Sequence, residues 1–162
     1  EKYPRGFSDG RFRTLIRRNS EEQDEWWAGI YLLSDRLGIG TRLDPGLNRY
    51  EISDEGGTIK IAKISNGIKS TLLDTLQTFS LNTIHGFEVS WEYNASSGQT
   101  LIDVKLGNNS NFSDLMLIGT FSDTSDPHQF SMSEGLFFQT QSHDSFVSYT
   151  FDTTSLFQIV TL

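Results

Sequence analysis

The sequence contains no cysteine, which excludes a disulfide framework and thiolate metal sites. It also lacks any apolar run near the roughly 18 residues of a membrane-spanning helix, so membrane insertion is not expected. Cations are in the minority. The formal net charge of −8 argues against a nucleic-acid partner, whose phosphates call for Lys and Arg gathered on one face. The one basic cluster, Arg11, Arg13, Arg17 and Arg18, is followed at once by Glu21, Glu22, Asp24 and Glu25, and reads either as local charge balance or as an anion site. Charged residues reach only 21%, low for a helical protein, and no segment carries a convincing helical period. The opening Glu1-Lys2-Tyr3-Pro4 reads as a processed or excised beginning.

What is present is strand-and-turn material. Aromatics make up 12% of the chain, led by 12 Phe, so an apolar fraction of only 36% can still fill a core. Ser, Thr, Asn and Gly are abundant beside β-branched residues. With 162 residues and no composition break or repeat, residues 1–162 are expected to form one domain. Period-two alternation recurs throughout, as in Arg11 to Arg17 and Phe87 to Tyr93. Trp26 to Leu33 is a nearly continuous apolar run containing Gly29, as in a strand covered on both faces. The Thr58–Ile64 run, then Asn66-Gly67, then Ile68 to Leu73 predicts a hairpin with a type I′ turn. A second hairpin joins Phe87–Tyr93 to Thr100–Leu106 through Asn94 to Gly98. Further strands are expected at Tyr50–Ile52, Leu115–Phe121, Gly135–Thr140, Phe146–Phe151 and Leu156–Val160, and the best place for a short helix is Ser70 to Gln77. Short strands at this spacing indicate an all-β sandwich or barrel.

The order of parts carries a resemblance. The run GTIKIAKISNGIKSTLL, then HGFEVSWEYNASSGQTLIDVKL with its Trp91, resembles the middle of laminin-G-like, concanavalin-A-like jelly rolls. The opening GFSDGRFRTLIRR with WWAGIYLLSD resembles the first two strands of that family, and the closing run with Phe151-Asp152 resembles its end. The resemblance implies a two-sheet antiparallel jelly-roll sandwich of about six strands per sheet, with little or no helix. It also implies a frequent calcium site and a role in binding carbohydrate or protein. Asp152 stands where the family often places a calcium ligand, near Asp9 of the first strand.

Residues that could carry chemistry are few. Glycoside hydrolases on such a scaffold set paired carboxylates on one strand as Glu-x-Asp-x-x-Glu, because alternate residues share a face. Glu22-Gln23-Asp24 begins that pattern, but its sixth position is Trp27. His143, Asp144 and Ser145 are adjacent, so they cannot form a relay among themselves. His85 and His128 lack partners at metal-ligand spacing, and no phosphate loop or nucleophile elbow is present, so no enzyme is expected. Asp123-Thr124-Ser125-Asp126 reads either as a turn capped by its own Asp and Ser side chains or, with Asp9 and Asp152, as an oxygen source for Ca2+. Asn94, Asn108 and Asn111 begin Asn-x-Ser sequons on loops, candidate glycosylation sites. Trp26, Trp27 and Tyr93 are the candidate ligand-binding aromatics: Trp26 and Trp27 are neighbours, so one of them faces away from the core.

Together these features predict a non-catalytic recognition or adhesion module outside the cytoplasm, at a cell or virion surface, binding a glycan or a protein surface. The alternative is a self-assembling structural subunit or decoration protein of a virus particle, surface layer or extracellular filament.

Overall fold

A computed structural model of the chain describes residues 9–18, 26–35, 45–55, 57–129, 133–140 and 149–152, the backbone alone in 26–28, 133–140 and 149–152. Ten strands are found among these residues: β1 (Asp9–Arg18), β2 (Trp26–Ser34), β3 (Arg49–Glu55), β4 (Thr58–Ser65), β5 (Ile68–Asp74), β6 (Ile84–Asn94), β7 (Gln99–Gly107), β8 (Met116–Asp123), β9 (Ser133–Thr140) and β10 (Tyr149–Asp152). They form two antiparallel five-stranded sheets, ordered β10-β1-β6-β7-β8 and β5-β4-β3-β2-β9. No described residue is helical. The fold is an all-β, two-sheet sandwich, as the alternation predicts. Five strands per sheet are described against the six expected, and the expected strand Leu156–Val160 lies outside the described residues.

Local chemistry explains the hairpins. Asn66 and Gly67 adopt φ of 51° and 78°, the left-handed pair that links β4 tightly to β5. Asn94 caps the β6–β7 turn, its Oδ1 accepting from the Ser96 and Ser97 amides at 2.9 and 3.2 Å. The expected short helix at Ser70–Gln77 is replaced by β5 up to Asp74. There Thr71 and Leu73 pair with Ala62 and Ile61 across a bulge, and both Leu72 and Leu73 pack on the core. In β2 a side chain on Gly29 would collide with the Ile52 carbonyl and meet the Ser53 Cα at 2.7 Å, so glycine is what lets β2 and β3 close up in an otherwise apolar run.

The core lies between the sheets. Phe12, Ile16, Phe87, Val89, Trp91, Ile102 and Val104 from one sheet meet Ile30, Leu32, Tyr50, Ile52, Ile59 and Ile61 from the other. Phe79, on the connection from β5 to β6, sits edge-on against Phe87 with centroids 5.2 Å apart. A polar tie crosses between the sheets at each end of this core. At one end Arg18 of β1 approaches Asp54 of β3 at 3.6 Å. At the other end Tyr50 of β3 donates its phenol proton to Asp123 of β8 at 2.6 Å.

Candidate functional site: a polar cleft at one end of the sandwich

The Tyr50–Asp123 tie anchors a connected polar cluster. Lys63, on β4, has the same parity as the core residues Ile59 and Ile61, so its side chain runs inward and its ammonium surfaces beside Asp123 at 2.7 Å. The same ammonium donates to the carbonyls of Ser125 and Asp126, both at 2.6 Å, so its three protons have three acceptors. The Ser125 amide donates to Asp123 Oδ1 at 3.0 Å, closing an Asx turn. The His128 amide donates to Tyr50 Oη at 3.1 Å, and Thr100 Oγ1 donates to the His128 carbonyl at 2.8 Å. Residues 123–128 are therefore clamped to β3, β4 and β7 at once.

The electrostatics follow from this packing. Burial works to raise the Asp123 carboxyl, but the bonds from Lys63, Tyr50 and the Ser125 amide outweigh it and hold the group below its ordinary range. Burial and the neighbouring Asp123 carboxylate push the Tyr50 phenol well above its ordinary value, so it remains a donor. The His128 imidazole lies 4.9 Å from the Tyr50 ring, and its Nε2–H donates to the Ile64 carbonyl at 2.8 Å. Burial, with Lys63 adding to it, lowers its pKa despite the Ile64 bond and the Asp123 and Asp35 carboxylates. Since the folded value lies below 6.5, stability from this group is complete above that pH and is lost as pH falls toward the folded value. We expect His128→Gln to remove that slope from a series of urea midpoints taken through mildly acidic pH.

Beside the cluster lies a cleft of about 550 Å³ between the end of β2, the β4–β5 turn and the β8–β9 connection. Its polar walls are Asp35, Asn48, Ser65, Asn66, Asp126, His128 and Gln129, and Pro127 supplies apolar surface beside the buried Leu33. Asn48 organises one wall. Its Nδ2 donates to Asp35 Oδ2 at 2.7 Å, and its Oδ1 accepts from the Asn66 amide at 2.9 Å. The Gly67 amide donates to the Leu47 carbonyl at 2.9 Å, fixing the hairpin tip against this wall. Leu33, Asn66 and Asp126 all hold left-handed backbones, with φ of 51°, 51° and 53°, so three such residues line one cleft. The result is a set of amide, carboxylate and hydroxyl groups on a frame that is already formed. Of its titratable members, Asp35 accepts from Asn48 and one His128 nitrogen is held by Ile64, while in the adjoining cluster Lys63 is held by three acceptors and Tyr50 by Asp123.

The residues singled out from sequence are placed as follows. Tyr93, half-buried, stands opposite Thr100 in the β6–β7 register, at the end of the sandwich where Thr100 holds His128. Trp26 and Trp27 lie in β2, their backbones opposite Thr140 and Gln139 of β9, with Trp27 also opposite Glu55. Asp123 is engaged by Lys63 and Tyr50, and its Oδ1 accepts from the Ser125 amide in an Asx turn. Asp126 borders the cleft, and Asp9 begins β1 opposite Glu92. Asp152 pairs with Leu15, six residues along β1 from Asp9, so the register separates these two. Among the described residues no three His, Cys, Asp or Glu side chains gather where a metal ion could sit. Asn94, Asn108 and Asn111 are all exposed on loops. Of the basic cluster, Arg13 donates to Glu88, which also accepts from Lys105 at 2.9 Å, and Arg11 approaches it at 3.9 Å. Glu22, Asp24 and the His143-Asp144-Ser145 run lie outside the described residues. His85 is a satisfied core group: its Nε2 accepts from the Ser80 amide at 2.8 Å and its Nδ1 bonds the Gly107 carbonyl at 3.1 Å.

The sequence reading missed Tyr50, Lys63 and His128 as one cluster. The available signal was parity: in Ile59-Lys60-Ile61-Ala62-Lys63-Ile64, strict alternation places Lys63 with the core and Ile64 on the opposite face. No protein-family model matches this chain, and comparison with curated proteins finds no relative.

Proposed function

We propose that this chain is a non-catalytic recognition module of the concanavalin-A-like, laminin-G-like jelly-roll kind, working at a cell or virion surface and binding carbohydrate in the cleft beside Asn66. The observation that carries this reading is the composition of the cleft. Amide and carboxylate groups from Asp35, Asn48, Asn66 and Asp126 border a concave space of about 550 Å³, in the size range of a small-molecule site. A sugar presents many hydroxyls, each donor and acceptor at once, and such walls match them in both senses. The apolar surface of Pro127 in the same cleft suits the less polar face of a pyranose ring. The frame costs little to organise on binding, because Asn48 and Lys63 already hold its walls together.

A glycan array probed with the purified chain tests this. We expect a defined saccharide hit that is lost in the double variant Asn66→Gly, Asp126→Asn. Gly and Asn tolerate left-handed backbones, so the fold survives while the polar contacts change. An array without hits, or a hit that persists in the variant, contradicts the reading.

A further inference from the structure

Among the described residues, three of the four large hydrophobic side chains most exposed to solvent gather at one end of the flank where the outer strands of the two sheets run side by side, while the fourth, Ile68, begins β5 at the other end. β8 ends one sheet and β5 ends the other. They are packed together there: a side chain on Gly119 of β8 would meet Thr75 and Leu73 at 2.9 and 3.0 Å. At one end of this flank Leu76, Met116 and Leu117 are 79%, 71% and 57% exposed. Beside them lies a groove of about 420 Å³ whose walls include Gln77, Ser80, Leu106, Met116, Leu117 and Ile118.

Leu76 bears two costs that folding of a single copy does not repay. Its backbone is left-handed, with φ of 58°, a conformation unfavourable for leucine, and its side chain points into water. It is nonetheless held firmly. Its amide donates to Asp74 Oδ1 at 2.9 Å, and the turn is pinned to β4 by Thr75 Oγ1 on the Ile59 carbonyl at 2.7 Å and by the Ile59 amide on the Gln77 carbonyl at 2.6 Å. A rigid apolar knob thus stands next to a groove in which Leu106, Met116, Leu117 and Ile118 share the lining with polar residues such as Gln77 and Asn108.

We propose that this flank is an interface with a second copy of the chain, related by a two-fold axis that seats Leu76 of each copy in the groove of the other. Two observations select a second copy. The first is charge. The chain carries −8, so two copies repel over most approaches, yet Met116 to Ser122 contains no charged residue and no Asp, Glu, Lys or Arg lines the groove. The second is self-complementarity: knob and groove share one flank, which is the condition for a contact that closes on itself. The 8 residues of β8 span about 26 Å, and two stacked sheets with their side chains give roughly 500 Å² per copy. The total of about 1,000 Å² is at the lower bound for a specific interface, so the dimer is concentration-dependent.

Sedimentation velocity over a wide range of protein concentration, with thermal unfolding alongside, provides the test. We expect the wild-type chain to pass from monomer to dimer. Leu76→Asn, which relieves the left-handed backbone and removes the knob, should abolish the dimer while keeping or raising the thermal midpoint of the monomer. Leu117→Lys, at an exposed groove position, should also abolish it, whereas Ala95→Lys in the β6–β7 turn should dimerise like the wild type. A wild-type chain that stays monomeric throughout overturns the proposal, as does a Leu76→Asn or Leu117→Lys variant that still dimerises. Loss of the dimer in Ala95→Lys would overturn it too, because charge alone would then explain the effect.

Discussion

Replacing Asp123 by alanine is expected to destabilise the chain by about 3 to 5 kcal/mol, because the Lys63 ammonium would be left nearly buried without its counter-charge. The loss exceeds that of one hydrogen bond, since Asp123 is where β8, β3, β4 and the loop after β8 meet. It accepts from the Tyr50 phenol, the Lys63 ammonium and the Ser125 amide. Tyr50→Phe removes one of those donors and leaves the ion pair in place, so about 1 to 2 kcal/mol is expected. Equilibrium urea unfolding of both variants checks the order. If Tyr50→Phe proved as costly as Asp123→Ala, the phenol and not the ion pair would be the dominant tie.

The second large effect lies in the apolar layer. Phe87 is fully buried on the inner face of β6, edge-on to Phe79, between Thr14 of β1 and Leu106 of β7 in register. Phe87→Ala removes a ring from close packing between two rigid sheets that cannot collapse around the gap, and about 3 to 5 kcal/mol is expected. The same urea experiment should show the midpoint falling with little change in slope, as for a loss of stability without a change in the unfolded state. A loss under about 1 kcal/mol would mean that Phe79 swings into the space and that the core is looser than its burial indicates.

What was legible in the sequence was local. Asn66-Gly67 needs no knowledge of the rest of the chain to form its turn, and the β6–β7 hairpin follows from strict alternation on either side of Asn94 to Gly98. The edge strands were harder. The Ser70–Gln77 segment has no clean period because a bulge opposite Ile61 and Ala62 turns Leu72 and Leu73 the same way. The candidate site was the least legible part, since its contacts are distant along the chain: Tyr50 and Asp123 are separated by 73 positions, Lys63 and Ser125 by 62. Asp123 was noticed as an oxygen donor, but only the stacking of the two sheets shows that its oxygens face a lysine and a phenol. Parity alone would have flagged Lys63 as a cation on a core face, which calls for a buried partner. Nothing in the sequence could have identified that partner.

The central claim, that recognition takes place in the cleft at the Tyr50–Asp123 end of the sandwich, is tested most directly by amide chemical-shift mapping. The labelled chain would be titrated with the saccharide that scores highest on the array. Shifts confined to Asp35, Asn48, Ser65 to Gly67 and Asp126 to Gln129 are predicted. Shifts centred instead on the outer face of β1, β6 and β7, around Arg13, Glu88 and Lys105, would contradict the claim and move recognition to the sheet.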